Sequence, residues 1–157
     1  MNWLLRIARR VFRRVSRFLP QPMRSFISRI LNMANTTRTR VMIDGPRAVV
    51  LQVTMTADGS SGEYSDNAIA SASAYNCDGL ELEEIWWSCK GCTAILEWDQ
   101  GTDIPVLAIS GSDHFDFRSI GGLTDSGATA ILLATTTGFT TADDQIALVM
   151  RFKKQFD

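Results

Sequence analysis

Ala48-Val49-Val50-Leu51-Gln52-Val53-Thr54-Met55-Thr56-Ala57 carries large apolar side chains at every second position and is rich in β-branched residues. A period of two predicts a strand, and Asp58-Gly59-Ser60-Ser61-Gly62 closes it. Upstream, Val41 and Ile43 lead into a turn at Asp44-Gly45-Pro46. Downstream, Ala68–Tyr75 is small and weakly patterned. Leu80–Ser88 and Thr93–Trp98 read as two strands flanking Cys89-Lys90-Gly91-Cys92, which reads as a two-residue hairpin loop. Ile104–Ile109, Phe115–Ile120, Ala128–Thr135 and Gln145–Lys153 bring the total to about eight strands. Turn signals at regular intervals, in a body poor in Lys and rich in Thr, Ser, Gly and Ala, predict an all-β domain over residues 41–157. The expected architecture is an antiparallel β-sandwich with jelly-roll connectivity.

Residues 1–40 differ in kind. They hold ten arginines and no acid, while the remaining 117 residues hold six basic and 17 acidic groups. A net charge of −1 therefore conceals a strongly basic arm on an acidic body. Within residues 3–19, Leu4, Ile7, Ala8, Val11, Phe12, Val15, Phe18 and Leu19 fall on one face of a helix, and Arg6, Arg9, Arg10, Arg13, Arg14 and Arg17 on the other. Pro20 and Pro22 end it. Met23, Phe26, Ile27, Ile30 and Leu31 form a second, weaker amphipathic pattern, and Asn35-Thr36-Thr37 reads as a linker. The expected arrangement is an amphipathic α-helical arm over residues 1–40, joined to the β domain.

The composition, 45% hydrophobic and 21% charged, is that of a globular chain. Its uncharged apolar stretches fall short of the roughly 20 residues a spanning helix needs. Arginines interrupt any signal-peptide h-region, although the arm shares its composition with mitochondrial transit peptides.

Catalytic patterns are weak. Cys89 and Cys92 with Cys77 and His114 offer three thiolates and an imidazole for zinc, but their spacing matches no standard module, and structural thiols are expected. Ser110-Gly111-Ser112-Asp113-His114 reads as a polar loop, because a serine triad is assembled from distant segments. Glu81, Glu83 and Glu84 alternate with Leu80, Leu82 and Ile85, which predicts a solvated strand face with one slip in register. Adjacent Trp86 and Trp87 must point to opposite faces, one toward the core and one free for an interface. No catalytic residue, cofactor, metal or small-molecule substrate is expected.

The body also resembles a family. Asp44-Gly45-Pro46-Arg47 leads into an alternating strand, and Ile85-Trp86, Leu96-Glu97-Trp98-Asp99, Phe117, Gly121-Gly122-Leu123 and Leu133-Ala134-Thr135-Thr136-Thr137-Gly138 follow. The alternating strand Ile146–Phe152 ends in Lys153-Lys154. With these turn-and-strand signatures the stretch from Asp44 onward resembles the small β-sandwich structural proteins of tailed-bacteriophage virions, the capsid decoration, cement or neck-type proteins. The resemblance implies a non-enzymatic virion component, assembled in the host cytoplasm, that joins capsid subunits, often as a trimer. The arm is then expected to clamp a major capsid protein, another virion protein or a sister subunit. Leu4, Ile7, Val11, Val15 and Phe18 serve as apolar anchors, and Arg6, Arg10, Arg13 and Arg17 as charged contacts. The alternative reading is a module that binds nucleic acid or an anionic membrane through the Arg-rich helix.

Overall fold

The computed structural model describes residues 35–124 and 130–156. The arm helix and all nine of its expected contact residues, Leu4 to Phe18, lie outside them. The described chain is all-β, an eight-stranded antiparallel sheet: β1 (Thr36–Asp44), β2 (Ala48–Thr56), β3 (Asn67–Ser71), β4 (Gly79–Trp98), β5 (Ile104–Asp116), β6 (Leu123–Thr124), β7 (Ile131–Thr137) and β8 (Gln145–Gln155). The hydrogen-bonded order is β1-β2-β8-β4-β7-β3, with β5 and β6 on the other edge of β4. β1 begins at Thr36, so Arg38 and Arg40 belong to the sheet.

Period two decides which side chains enter the core. Val49, Leu51, Val53 and Met55 of β2 and Ile146, Leu148, Met150 and Phe152 of β8 are all buried, while the residues between them are more exposed. Leu80, Leu82, Ile85, Ala94, Leu96 and Trp98 of β4 meet them, together with Leu132 and Ala134 of β7 and Phe139. Each large side chain of this kind contributes about 1.5–3 kcal/mol when fully buried.

The expected hairpin at Cys89–Cys92 is corrected by the structure. β4 is one strand of 20 residues that runs through those cysteines. The hairpin lies further on, between β4 and β5, around Asp99–Asp103. Ile104–Ile109 and Phe115–Ile120, expected as separate strands, become one where they join: β5 spans Ile104–Asp116, and a 3-10 turn follows at Arg118–Ile120. The expected polar loop at Ser110–His114 is therefore strand. In the β4–β5 ladder Ser88 faces Ser112 and Thr93 faces Ser110, so four residues of β4 stand against Gly111 alone. This wide bulge bends both strands at once. Beyond it β4 exchanges β8 for β7 as its neighbour, with Gly79–Lys90 on β8 and Thr93–Trp98 on β7. The sheet curls around its core as a half-barrel because of that exchange.

The weakly patterned Ala68–Tyr75 divides into β3 and a 3-10 turn at Ala72–Tyr75. The slip expected among the glutamates is present as a bulge between Leu82 and Glu84. Their face is not solvated, however. Glu81 is 7% and Glu84 9% exposed, because Lys153 of β8 and Arg118 of the turn after β5 reach over them.

Gly91 holds φ +76° and Gly111 φ +57°, the left-handed region that an L side chain enters at a cost. The two sites differ in their surroundings. A Cβ at Gly91 would overlap Asp144 Oδ1, whereas a Cβ at Gly111 meets nothing within 4 Å. Gly111→Ala is expected to destabilise the fold by about 1 kcal/mol, from backbone strain alone. Gly91→Ala is expected to cost about 3 kcal/mol, because overlap adds to strain. Urea unfolding of the two variants, compared at the same slope, checks the difference.

Candidate functional site

The three cysteines were the first candidates for chemistry. All are free thiols and half-buried. Cys77 Sγ donates to the Ala72 carbonyl at 3.5 Å, and Cys92 Sγ to the Lys90 carbonyl at 3.5 Å. Burial pushes Cys89 up to about 11, and the adjacent Cys92 adds to the shift. Burial raises Cys77 and Cys92 as well. A redox or nucleophilic thiol needs the opposite shift. Among the described residues no group of three or more His, Cys, Asp or Glu side chains is placed to hold a metal ion.

His114 instead takes part in a side-chain network on the outer face of the sheet. β5 places it opposite Trp86 of β4, and the two rings stack at 4.5 Å with 19° between their planes. Its Nε2 lies 3.0 Å from Glu84 Oε1, and Arg118 Nη2 lies 3.5 Å from the same oxygen. Arg118 also forks onto Asp116, with Nε at 2.9 Å from Oδ1 and Nη2 at 2.6 Å from Oδ2. That fork holds Asp116 down at about 2. Further along, Arg151 Nε donates to Glu83 at 2.8 Å, and Lys153 Nζ reaches Glu81 at 3.2 Å. Trp86 is 41% exposed, while Trp87 turns the other way, half-buried against the core. The opposite orientations expected for this pair are thus observed.

Cross-strand partners in an antiparallel ladder share a face. By that rule Arg40, Gln52, Val149, Trp86 and His114 form one row across β1, β2, β8, β4 and β5. Arg38, Thr54, Ala147, Ser88 and Ser112 form the next. Sequence reasoning missed this surface because Gly111-Ser112-Asp113 carries turn chemistry and hid the strand beneath His114. The recoverable signal was the outward alternation Glu84, Trp86, Ser88.

A second polar cluster fixes the loops at one end of the sheet. Asp144, 6% exposed, accepts from the backbone N–H groups of Thr140 at 2.9 Å and Thr141 at 2.6 Å. Asp58 Oδ1 accepts from Ser60 N at 2.8 Å and Ser61 N at 2.7 Å, and its Oδ2 from Ser61 Oγ at 2.8 Å. Asn35 joins this loop by accepting from Asp58 N and donating to the Gly62 carbonyl. These acids are structural: each carboxylate is spent on backbone N–H groups of its own loop.

Burial pushes the Asp58 carboxyl up, but the hydrogen bonds from Ser61 and Ser60 outweigh it and hold the group at about 2, below the ordinary 3.8. A depressed carboxyl stabilises the fold fully above its unfolded value and loses that contribution as pH falls through the folded one. Asp58→Asn is therefore expected to flatten the stability curve between pH 4 and 2, read by denaturant midpoints across that range. Cys89 is expected to resist iodoacetamide at neutral pH and to label only as pH approaches 11, read by mass spectrometry of pulse-labelled protein.

No helix among the described residues is long and apolar enough to cross a membrane. Comparison with known protein families, characterised proteins and solved structures finds no match to this chain.

Proposed function

We propose that the chain is a non-enzymatic structural protein of a virus particle, a capsid decoration or cement protein built on a jelly roll. The strand order supports the jelly-roll reading once β4 and β5 are each divided at their shared bend. One run is then β2, β8, the first half of β4 and the second half of β5. The other is β3, β7, the second half of β4 and the first half of β5. The chain passes between the runs after β2, after β3, within β4, within β5, after β6 and after β7. Two interleaved Greek keys of this kind are the jelly-roll pattern, used by viral capsid domains among others. An interior filled by Leu51, Leu82, Leu96, Phe139 and Phe152 supports a packing role over a ligand cavity.

The observation that carries the assembly reading is the division of charge, ten arginines without an acid in residues 1–40 against 17 acids in the rest. In this reading the apolar stripe of the arm, Leu4, Ile7, Val11, Val15 and Phe18, is buried in a groove of a neighbouring capsid or sister subunit. Arg6, Arg10, Arg13 and Arg17 meet carboxylates around it and set register. The protein would reside in the virion. A module binding nucleic acid or an anionic membrane through the same arm is the alternative, and salt separates them. Phosphate contacts weaken steeply as salt rises, whereas an apolar groove holds.

Light scattering at low and high salt tests the reading on the full chain, on residues 35–157, which keep β1 whole, and on a full-chain Val11→Asp, Val15→Asp variant. A salt-resistant oligomer is expected of the full chain, and a folded monomer of the other two. Equal mass for all three would sink arm exchange between subunits.

A further inference from the structure

We propose that the outer face of the β1-β2-β8-β4-β5 half of the sheet binds single-stranded nucleic acid, with Trp86 and His114 as the base-stacking pair and Arg38, Arg40 and Lys90 as phosphate contacts. The proposal goes beyond the assembly reading and stands without it, because it concerns the sheet from Thr36 onward and not the expected helix of residues 3–19.

Charge is the first support. Among the described residues, this face holds Arg38, Arg40, Lys90, Arg118, Arg151 and Lys153, so that only Arg47 and Lys154 of the body's cations lie elsewhere. Lys154 is spent in an inward ion pair with Asp44. Of the carboxylates, only Glu81, Glu83, Glu84 and Asp116 share the face, and each is already held by Lys153, Arg151, His114 or Arg118. The remaining described acids, Asp58, Glu63, Asp99 and Asp144 among them, lie in loops or on other surfaces. An acidic protein thus presents one face with a surplus of positive charge, and Arg38, Arg40 and Lys90 form no ion pair among the described residues. That surplus continues the sign of the arm, since Arg38 and Arg40 are the last two of its ten arginines.

Aromatic geometry is the second support and the one that selects a single strand. The Trp86–His114 stack stands on the outer face and reaches solvent, with Trp86 41% and the His114 side chain 41% exposed. Trp86 thus keeps aromatic surface in water that a ligand can cover. Unpaired bases have free π faces to stack there, and a duplex has none. A contact from Glu84 at 3.0 Å helps to orient the imidazole before a ligand arrives. Arg40 stands in the same row as Trp86, three strand spacings away, about 14 Å at the usual separation of neighbouring strands. A few nucleotides lying across the strands would therefore meet a guanidinium at one end and the stack at the other.

The test uses the full chain, so that the arm is present in every sample and differences report the face. Binding of a short fluorescein-labelled oligouridylate and of a matched RNA duplex is followed by anisotropy across a salt series. Trp86→Ala is expected to weaken the single strand about tenfold with an unchanged salt slope, and Trp86→Phe to keep most of the affinity. Arg38→Ala with Arg40→Ala is expected to lower the slope of log affinity against log salt by about 1.4, two phosphate contacts at the single-strand value. Oligouridylate should quench tryptophan emission in the wild type more than in Trp86→Phe. Thermal midpoints matching the wild type show that the variants fold. If all variants bind as the wild type does, the arm alone holds nucleic acid and the platform is refuted. Equal losses for duplex and single strand refute the stacking role. Loss of subunit association in Trp86→Ala, with oligouridylate binding intact, gives the face to a protein partner.

Discussion

Gly91 and Gly111, both at positive φ, lie within the bulge of the β4–β5 ladder, where four residues of one strand, Gly91 among them, are set against Gly111 alone. Without that bulge, β4 would continue straight along β8, and residues 93–98 would carry Ala94, Leu96 and Trp98 away from the core. With it, the same strand leaves β8, meets β7, and folds the second half of the sheet over the first. The shared core that joins Leu132 and Ala134 of β7 to the buried residues of β2 and β8 depends on this bend. Asp144 helps to hold it, since its carboxylate caps the loop before β8 and also lies against the Gly91 Cα.

The straight strands were legible in the sequence, and the bend was not. Ala48–Thr56 and Gln145–Gln155 alternate cleanly because each has one face in the core and one outside. Such a pattern needs no knowledge of partners. Cys89-Lys90-Gly91-Cys92 has the chemistry of a tight turn and is flanked by apolar runs, as a hairpin would be. Whether the chain reverses there or merely bends is decided by β7 and β8, some 40 to 70 residues further along. Local residues cannot report a choice made at that separation. Ser110–His114 was misread for the same reason: Gly111 and Asp113 favour turns, and only pairing with β4 keeps them extended.

The outer surface was half legible. Adjacent tryptophans on a strand must part to opposite faces, and Trp86 and Trp87 do. The glutamates beside them were harder. Alternation placed Glu81 and Glu84 outside, but their burial comes from Lys153, Arg118 and His114, which reach them from β8, the turn after β5, and β5 itself. An outward residue is solvated only if its cross-strand neighbours are short, and here they are long.

The position of β8 between β2 and β4 has a consequence for how the protein is made. β2 and β4 are separated in the sheet by a strand synthesised about fifty residues after β4 ends. As the chain emerges from the ribosome, β2 has only β1 to pair with, and one edge of β4 has no partner until β7 and β8 appear. The β4–β5 hairpin can form early, but its apolar faces stay open in the meantime. Closure of the core is thus a late, long-range event, of the kind that folds slowly and leaves strand edges exposed to other nascent chains.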